Sequence, residues 1–361
     1  MKLSMLTTII IIITFSSSHS FAICENNIDN TKTYYINGMF TTVDDYFANK
    51  SIISELLDNY FPDQGFSKHV YGSHNNKNEK LLYQAAEVAR QKIEDNVQHA
   101  KEVLISFLNN ETSNINSDAE LDVLKSYLQD ISRIYKITLS ESDTLSAENE
   151  IIDLLNTCSR VILITHSQGN FYGNAIYTNL YANYKNVRGY SIAKFPMLGM
   201  MQIASPVQVP GGSIAQLHPD MIGHLTNDND LIMKAVRETL GAVESNFSSS
   251  ITIKDLSGHS LNTSYLTPPE QSSEIAGQID RIRLRMIPYP MQHQNSISSS
   301  AFASLGHSTI NKLLDLKFTD GSVYRYSDVS DIEFLSFISS ASLGLYFNEN
   351  IKNIYQYSKI H

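Results

Sequence analysis

Ser167 stands where a hydroxyl could become reactive. Val161-Ile162-Leu163-Ile164 is a β-branched apolar run, the mark of a buried strand, and it leads directly into Thr165-His166-Ser167-Gln168-Gly169. A helical pattern follows from Asn170 to about Tyr184. Serine acts in acyl transfer when a base takes its proton, a carboxylate holds that base, and donors receive the oxyanion. Asp228 and Asp230 close one strand-like segment downstream, and His259 follows another. All three residue types are therefore present, in the order serine, aspartate, histidine. At such a turn strand and helix nearly touch, so the residues two before and two after the serine must be small. Gly169 meets that demand; Thr165 is larger than glycine but still small. The alternative is an ordinary strand-to-helix turn with Ser167 as a helix N-cap.

The strand, turn and helix around Thr165-His166-Ser167-Gln168-Gly169 resemble the nucleophile elbow of α/β-hydrolases, usually Gly-x-Ser-x-Gly, with Thr165 in place of the first glycine. The resemblance covers residues about 30 to 285 and implies a serine ester hydrolase of the lipase or esterase type. It assigns Ser167 as nucleophile, His259 as base and Asp230, which precedes Leu231-Ile232, as acid; Asp228 is the close competitor. Gly258-His259-Ser260 followed by Tyr265-Leu266 is similar to the family's histidine loop. For the oxyanion, the resemblance implies the Gln168 N–H and a second donor after an early strand. Asn37-Gly38-Met39 is similar to the His-Gly-x loop of lipases, which points to the Met39 N–H. A hairpin-type Asn-Gly turn is the other reading of that dipeptide. His166 is expected to face away from the attack side, and His218 and His224 to be structural. Competing functions are an acyltransferase on the same triad and a catalytically silent hydrolase fold used as an interaction module.

Positioning these residues requires strands that end together. The expected class is α/β, a mostly parallel sheet covered by helices on both faces. Strands are predicted at Thr33–Ile36, Val161–Ile164, Val187–Ile192, Met200–Ile203, Met221–Leu225 and Ser250–Ile253. Apolar residues at helical spacing over 78–95, 97–108, 117–137 and 146–156 predict a helical insertion at about 75–157, either a cap or flanking helices. A helix is expected after Thr267, with Pro268 at its first position and Glu270 completing a capping box.

The 361 residues, 42% hydrophobic and 18% charged, suffice for a large core and suggest two domains. Lys2, the apolar run Leu6 to Phe15 and Ser20-Phe21-Ala22 read as an export signal over residues 1–22. The run is too short to span a membrane, so none is expected in the mature chain, which would be periplasmic or secreted. Removing Lys2 takes the formal charge from −10 to −11, a poor match to nucleic acid or anionic membranes. Cys24 and Cys158 are the only cysteines, and an oxidising destination makes one disulfide between them the expectation, against two free buried thiols. Their spacing gives no zinc site, and no cofactor is expected.

The hydrolase-like region is expected over 23–287, with 288–303 as a Pro-, Gln- and Ser-rich linker. Residues 304–361 resemble the KTSC domain through Leu314-Asp315-Leu316-Lys317-Phe318, Asp320-Gly321, Tyr324-Arg325-Tyr326, Ala341-Ser342-Leu343-Gly344 and Tyr346-Phe347-Asn348. Physically this reads as a hairpin through Thr319-Asp320-Gly321, a helix over Ile332–Ala341 with Gly344 as C-cap, and a final helical turn. Its basic and acidic residues nearly cancel, which argues against a phosphate footprint. Tyr324, Tyr326, Tyr346 and Phe347 are expected to be half-buried contacts rather than a binding platform. A protein or polymer partner is the expected ligand class for this unit, beside an ester or lipid substrate for the first.

Overall fold

The computed structural model describes residues 28–38, 41–74, 142–186, 188–250, 255, 257–292, 294 and 297–361. The export signal, Met39, Cys24 and most of the expected insertion lie outside the described residues, as do residues 251–253 of one expected strand.

Five strands form the first sheet: β1 (Thr31–Ile36), β2 (Phe66–Ser73), β3 (Arg160–His166), β4 (Leu198–Ile203) and β5 (Ile222–Leu225). Their order is β2-β1-β3-β4-β5 and every pairing is parallel. β3 is central, and Val161, Ile162, Leu163 and Ile164 are all 1% exposed or less. Each such side chain contributes about 1.5–3 kcal/mol of transfer free energy. Helices α1 (Val43–Tyr60), α2 (Ser142–Asn156), α3 (Gly169–Asn183), α4 (Leu231–Leu240) and α5 (Pro269–Arg285) accompany the sheet. α1 packs with α5, and α2 packs with α3, as two layers against the strands. α1 begins at a capping box in which Thr42 and Asp45 bond each other's main chain.

Four sequence expectations are corrected. Residues 188–192 form a turn rather than a strand, because the Asn186 side chain takes the N–H groups of Arg188 and Tyr190 and leaves only an isolated bridge, Lys185 to Ser191. α5 has Pro268 as its N-cap and no side-chain cap, because Thr267 closes the preceding turn of Leu261–Leu266 instead. In the C-terminal unit Gly344 lies within a short helix rather than capping a longer one. That unit's main helix stops at Ile338, where Ser339 caps it. Strand β2 carries no clean alternation, and it went unread in the sequence; its position beside β1 comes from pairing alone.

The second sheet is antiparallel, in the order β6 (Phe302–Ser308), β7 (Leu313–Phe318), β8 (Val323–Tyr326), β9 (Tyr357–Lys359). Gly321, at φ 90°, turns β7 into β8. Helices α6 (Asp331–Ile338) and α7 (Leu343–Tyr346) complete the unit. Phe302, Leu305, Leu314, Leu316, Phe337 and Phe347 make its core, with Tyr324 and Tyr346 packed against it.

The stretch read as a linker is packed where it leaves α5: Tyr289 and Met291 are 0% and 1% exposed. Two arginines bind the units together. Arg160, fully buried at the start of β3, donates to the carbonyls of Ile28, Arg283 and Met286 and to Asp29, Ser308 and Asn311. Arg325 of β8 pairs with Asp315 through two bonds of 2.7 Å and donates to the carbonyls of Pro288 and Tyr289. Its guanidinium also lies over the Phe195 ring. Buried charges persist when every donor and oxygen is matched in this way.

Candidate active site

β3 ends at His166 and α3 begins at Gly169, so the chain reverses within Ser167-Gln168. Ser167 has φ 51°, a left-handed conformation costing a non-glycine residue about 1–2 kcal/mol. Steric surroundings explain the neighbouring residue types. A Cβ on Gly169 would lie 2.5 Å from the Ile36 carbonyl oxygen, so only glycine passes beneath the end of β1. Thr165 is accommodated by a glycine on the facing helix. A Cβ on Gly173 would come within 2.8 Å of the Thr165 methyl. The space that a Gly at position 165 would have provided is supplied one turn into α3. The Thr165 hydroxyl meanwhile donates to the Asn170 side-chain oxygen at 2.6 Å, and the Asn170 amide donates to the Ser167 carbonyl at 2.7 Å.

Asp230 and His259 arrive from loops beyond β5. Asp230 is the N-cap of α4: its Oδ1 accepts the Met233 N–H at 2.9 Å. Its Oδ2 accepts from two groups, His259 Nδ1–H at 2.8 Å and the Tyr265 hydroxyl at 2.7 Å. With Nδ1 protonated, Nε2 carries the lone pair, and it lies 3.0 Å from Ser167 Oγ. Asp228 does not compete. It is exposed and accepts from Ser248 Oγ and the Ser249 N–H, which hold its carboxyl below the usual range.

His259 is held between opposing influences. Burial disfavours its cation, but the charge and hydrogen bond of Asp230, joined by the charge of Asp255, prevail and raise its pKa above 6.5. His166 behaves in the opposite way. Burial first, then the neighbouring His259, pushes its pKa well below 6.5. Neutral His166 donates from Nε2 to the His259 carbonyl at 3.0 Å, so it supports the histidine loop rather than facing the serine.

The loop after β1 lies against the elbow. A Cβ on Gly38 would fall 2.7 Å from the Ser167 Cβ, and the Asn37 side chain donates to the Gly38 carbonyl at 2.8 Å. β1 has parallel partners on both sides, so Asn37-Gly38 is not a hairpin turn. Gln168 is the N-cap of α3, which places its N–H at the positive end of that helix. Cys158, just before β3, is disulfide-bonded. His218 packs against Tyr181, and the His224 carbonyl accepts from Asn246 and Gln278.

Three contributors were missed in the sequence: the Tyr265 hydroxyl on Asp230, His166 on the His259 carbonyl, and Asp255. The last had a local signal. Asp followed two and three residues later by Ser and Gly is the pattern of an aspartate bonding its own turn. Among the described residues no group of three or more His, Cys, Asp or Glu could hold a metal ion, and no helix is long and apolar enough to cross a membrane.

Comparison with known proteins separates the two units. Residues 298–355 match the KTSC domain. The C-terminal unit is a KTSC domain. A solved KTSC domain protein from Yersinia pestis is 31% identical over 18% of this chain and 92% of its own, with a TM-score of 0.18. No curated protein matches the chain. A cutinase from Trichoderma reesei, solved with a phosphonate inhibitor, is 11% identical over 72% of this chain and 79% of its own, with a TM-score of 0.30. In the KTSC domain the basic residue nearest a carboxylate, Arg325, is occupied by Asp315 and by two carbonyls of the chain entering the domain.

Proposed function

We propose that the parallel-sheet unit is an exported serine hydrolase of the α/β-hydrolase type, cleaving carboxylic esters. The observation that carries this reading is the unbroken relay from Ser167 Oγ to His259 Nε2, at 3.0 Å, and from His259 Nδ1 to Asp230 Oδ2, at 2.8 Å. It stands beside a serine held at φ 51° between a strand and a helix. Ser167 attacks the ester carbonyl while His259 takes its proton. Asp230 orients the imidazole and stabilises the imidazolium that forms. The tetrahedral oxyanion is received by the Gln168 N–H and by a donor from the loop after β1, for which the Met39 N–H is nominated. His259 returns the proton to the leaving alcohol, then activates water to release the acyl group.

The test is turnover of p-nitrophenyl esters of graded chain length, with labelling by a fluorophosphonate. Ser167→Ala is expected to lose both, with a fall in kcat of about 10⁴-fold or more. Full turnover by that variant, or absence of labelling in the folded wild type, refutes the reading. Acyl transfer to an added alcohol in preference to water would identify an acyltransferase on the same residues.

A further inference from the structure

Asp255 is fully buried, and its side chain touches neither Ser167 nor Asp230 in any hydrogen bond. Its carboxylate instead gathers the main chain around the base. Oδ1 accepts the Ser257 N–H at 3.0 Å, the Ser257 hydroxyl at 2.6 Å and the Gly258 N–H at 3.1 Å. Oδ2 accepts the Ser260 N–H at 2.7 Å and the Ser264 hydroxyl. The residues immediately before and after His259 are therefore both tied to one side chain. The loop cannot relax toward the acid either. Gly258 has φ 67°, and a Cβ there would sit 2.6 Å from the Asn229 carbonyl oxygen. A carboxylate offers about four lone-pair sites, and five donors fill them, so a neutral amide of the same shape would turn an N–H face toward N–H donors.

On these grounds we infer that Asp255 is a positioning residue for His259, locking the main chain on both sides of the imidazole and setting a second buried negative charge behind it. This rests on the hydrolase reading, which it deepens. The groups acting on His259 are Asp230 at the start of α4, His166 at the end of β3 and Asp255, with Tyr265 in the following turn reaching it through its bond to Asp230. His166 is held neutral and the Tyr265 phenol is held protonated by burial, so the two aspartates are the charges that favour an imidazolium. When His259 takes the Ser167 proton, a positive charge appears in a nearly closed site. A fixed anion that need not reorganise lowers the cost of that step.

The measurement is the His259 titration midpoint by NMR in wild type and Asp255→Asn, together with the pH dependence of kcat/KM on a p-nitrophenyl ester. In Asp255→Asn the midpoint and the acid limb are expected to move down by about half to one pH unit. The plateau of kcat/KM is expected to fall about 10- to 100-fold. A folded variant with a wild-type midpoint overturns the inference, even if activity is lost, because a merely structural role would leave the midpoint in place. Ser264→Ala removes one donor and no charge, so it serves if Asp255→Asn does not fold. It is expected to lower kcat/KM three- to tenfold without lowering the midpoint, and wild-type rates there also overturn the positioning role. A midpoint that moves in a protein inert to every ester and to the fluorophosphonate would retain Asp255's effect on His259 and reject the hydrolase reading instead.

Discussion

The two ends of β3 solve opposite problems with charged residues. At its start Arg160 is fully buried and every direction of its guanidinium meets an oxygen, from Ile28, Asp29, Arg283, Met286, Ser308 or Asn311. Nothing there is poised to move a proton, and the result is a joint between the sheet and the KTSC domain. At its other end His259 retains a lone pair toward Ser167, and the serine sits in a backbone conformation that costs energy. Stability is concentrated where all polar groups are satisfied. Reactivity is proposed where one acceptor is left facing one hydroxyl. The seven residues of β3, at about 3.3 Å each, put roughly 20 Å between the Arg160 joint and the serine.

That contrast can be broken from either side. The largest effect is expected from Asp230→Asn, which removes the ion facing His259 Nδ1 and should lower kcat about 10⁴-fold with little change in thermal stability. Asp228→Asn, at an exposed neighbour whose carboxyl bonds Ser248 and Ser249 rather than His259, should remain within twofold of wild type. Ester hydrolysis measured side by side checks both. At the opposite end, Arg160→Ala should cost about 3–5 kcal/mol in urea unfolding, since Asp29, Ser308 and three carbonyls each lose a charged donor. The turnover per folded molecule should be unchanged; a fall of tenfold or more would couple the two ends and defeat the comparison.

A smaller effect tests the elbow's packing. Gly173→Ala would drive a methyl against the Thr165 methyl and Met200 and should destabilise by about 1–3 kcal/mol. Adding Thr165→Ala should recover at least half, because the two positions share one space. The smallest effect concerns pH. In the proposed mechanism His259 acts as a base when neutral, and its pKa is raised, so the acid limb of the rate profile should centre above 6.5 and fall tenfold per unit below it. A limb centred below 6.5 would mean that burial outweighs Asp230 and Asp255.

Much of the site was legible because chemistry of this kind leaves local marks. Ser167 lies between a strand run and a helical run, Asp230 before Leu231-Ile232, and His259 after a glycine. Asp230 is preferred over Asp228 in the sequence for its position before that apolar pair; in the structure Asp230 caps α4 and its second oxygen accepts from His259 Nδ1. Less was legible where geometry depends on distant partners. β2 has a mixed burial pattern and becomes a strand only by pairing with β1. Residues 188–192 have strand-like composition but are bent by the Asn186 side chain. The stretch after Met286 reads as a polar linker, yet its backbone carbonyls hold Arg325.

By itself the sequence determined the alternation of strands and helices, the order of Ser167, Asp230 and His259, and the KTSC match, because these rest on periodicity and on motifs within a few residues. Tertiary structure alone decided that Gly173 makes room for Thr165, that Tyr265 and His166 support Asp230 and His259, and that Arg160 joins the two units. The last two depend on atoms brought together across tens to more than a hundred residues, and the first on which side of α3 lies against β3, and short-range patterns record neither.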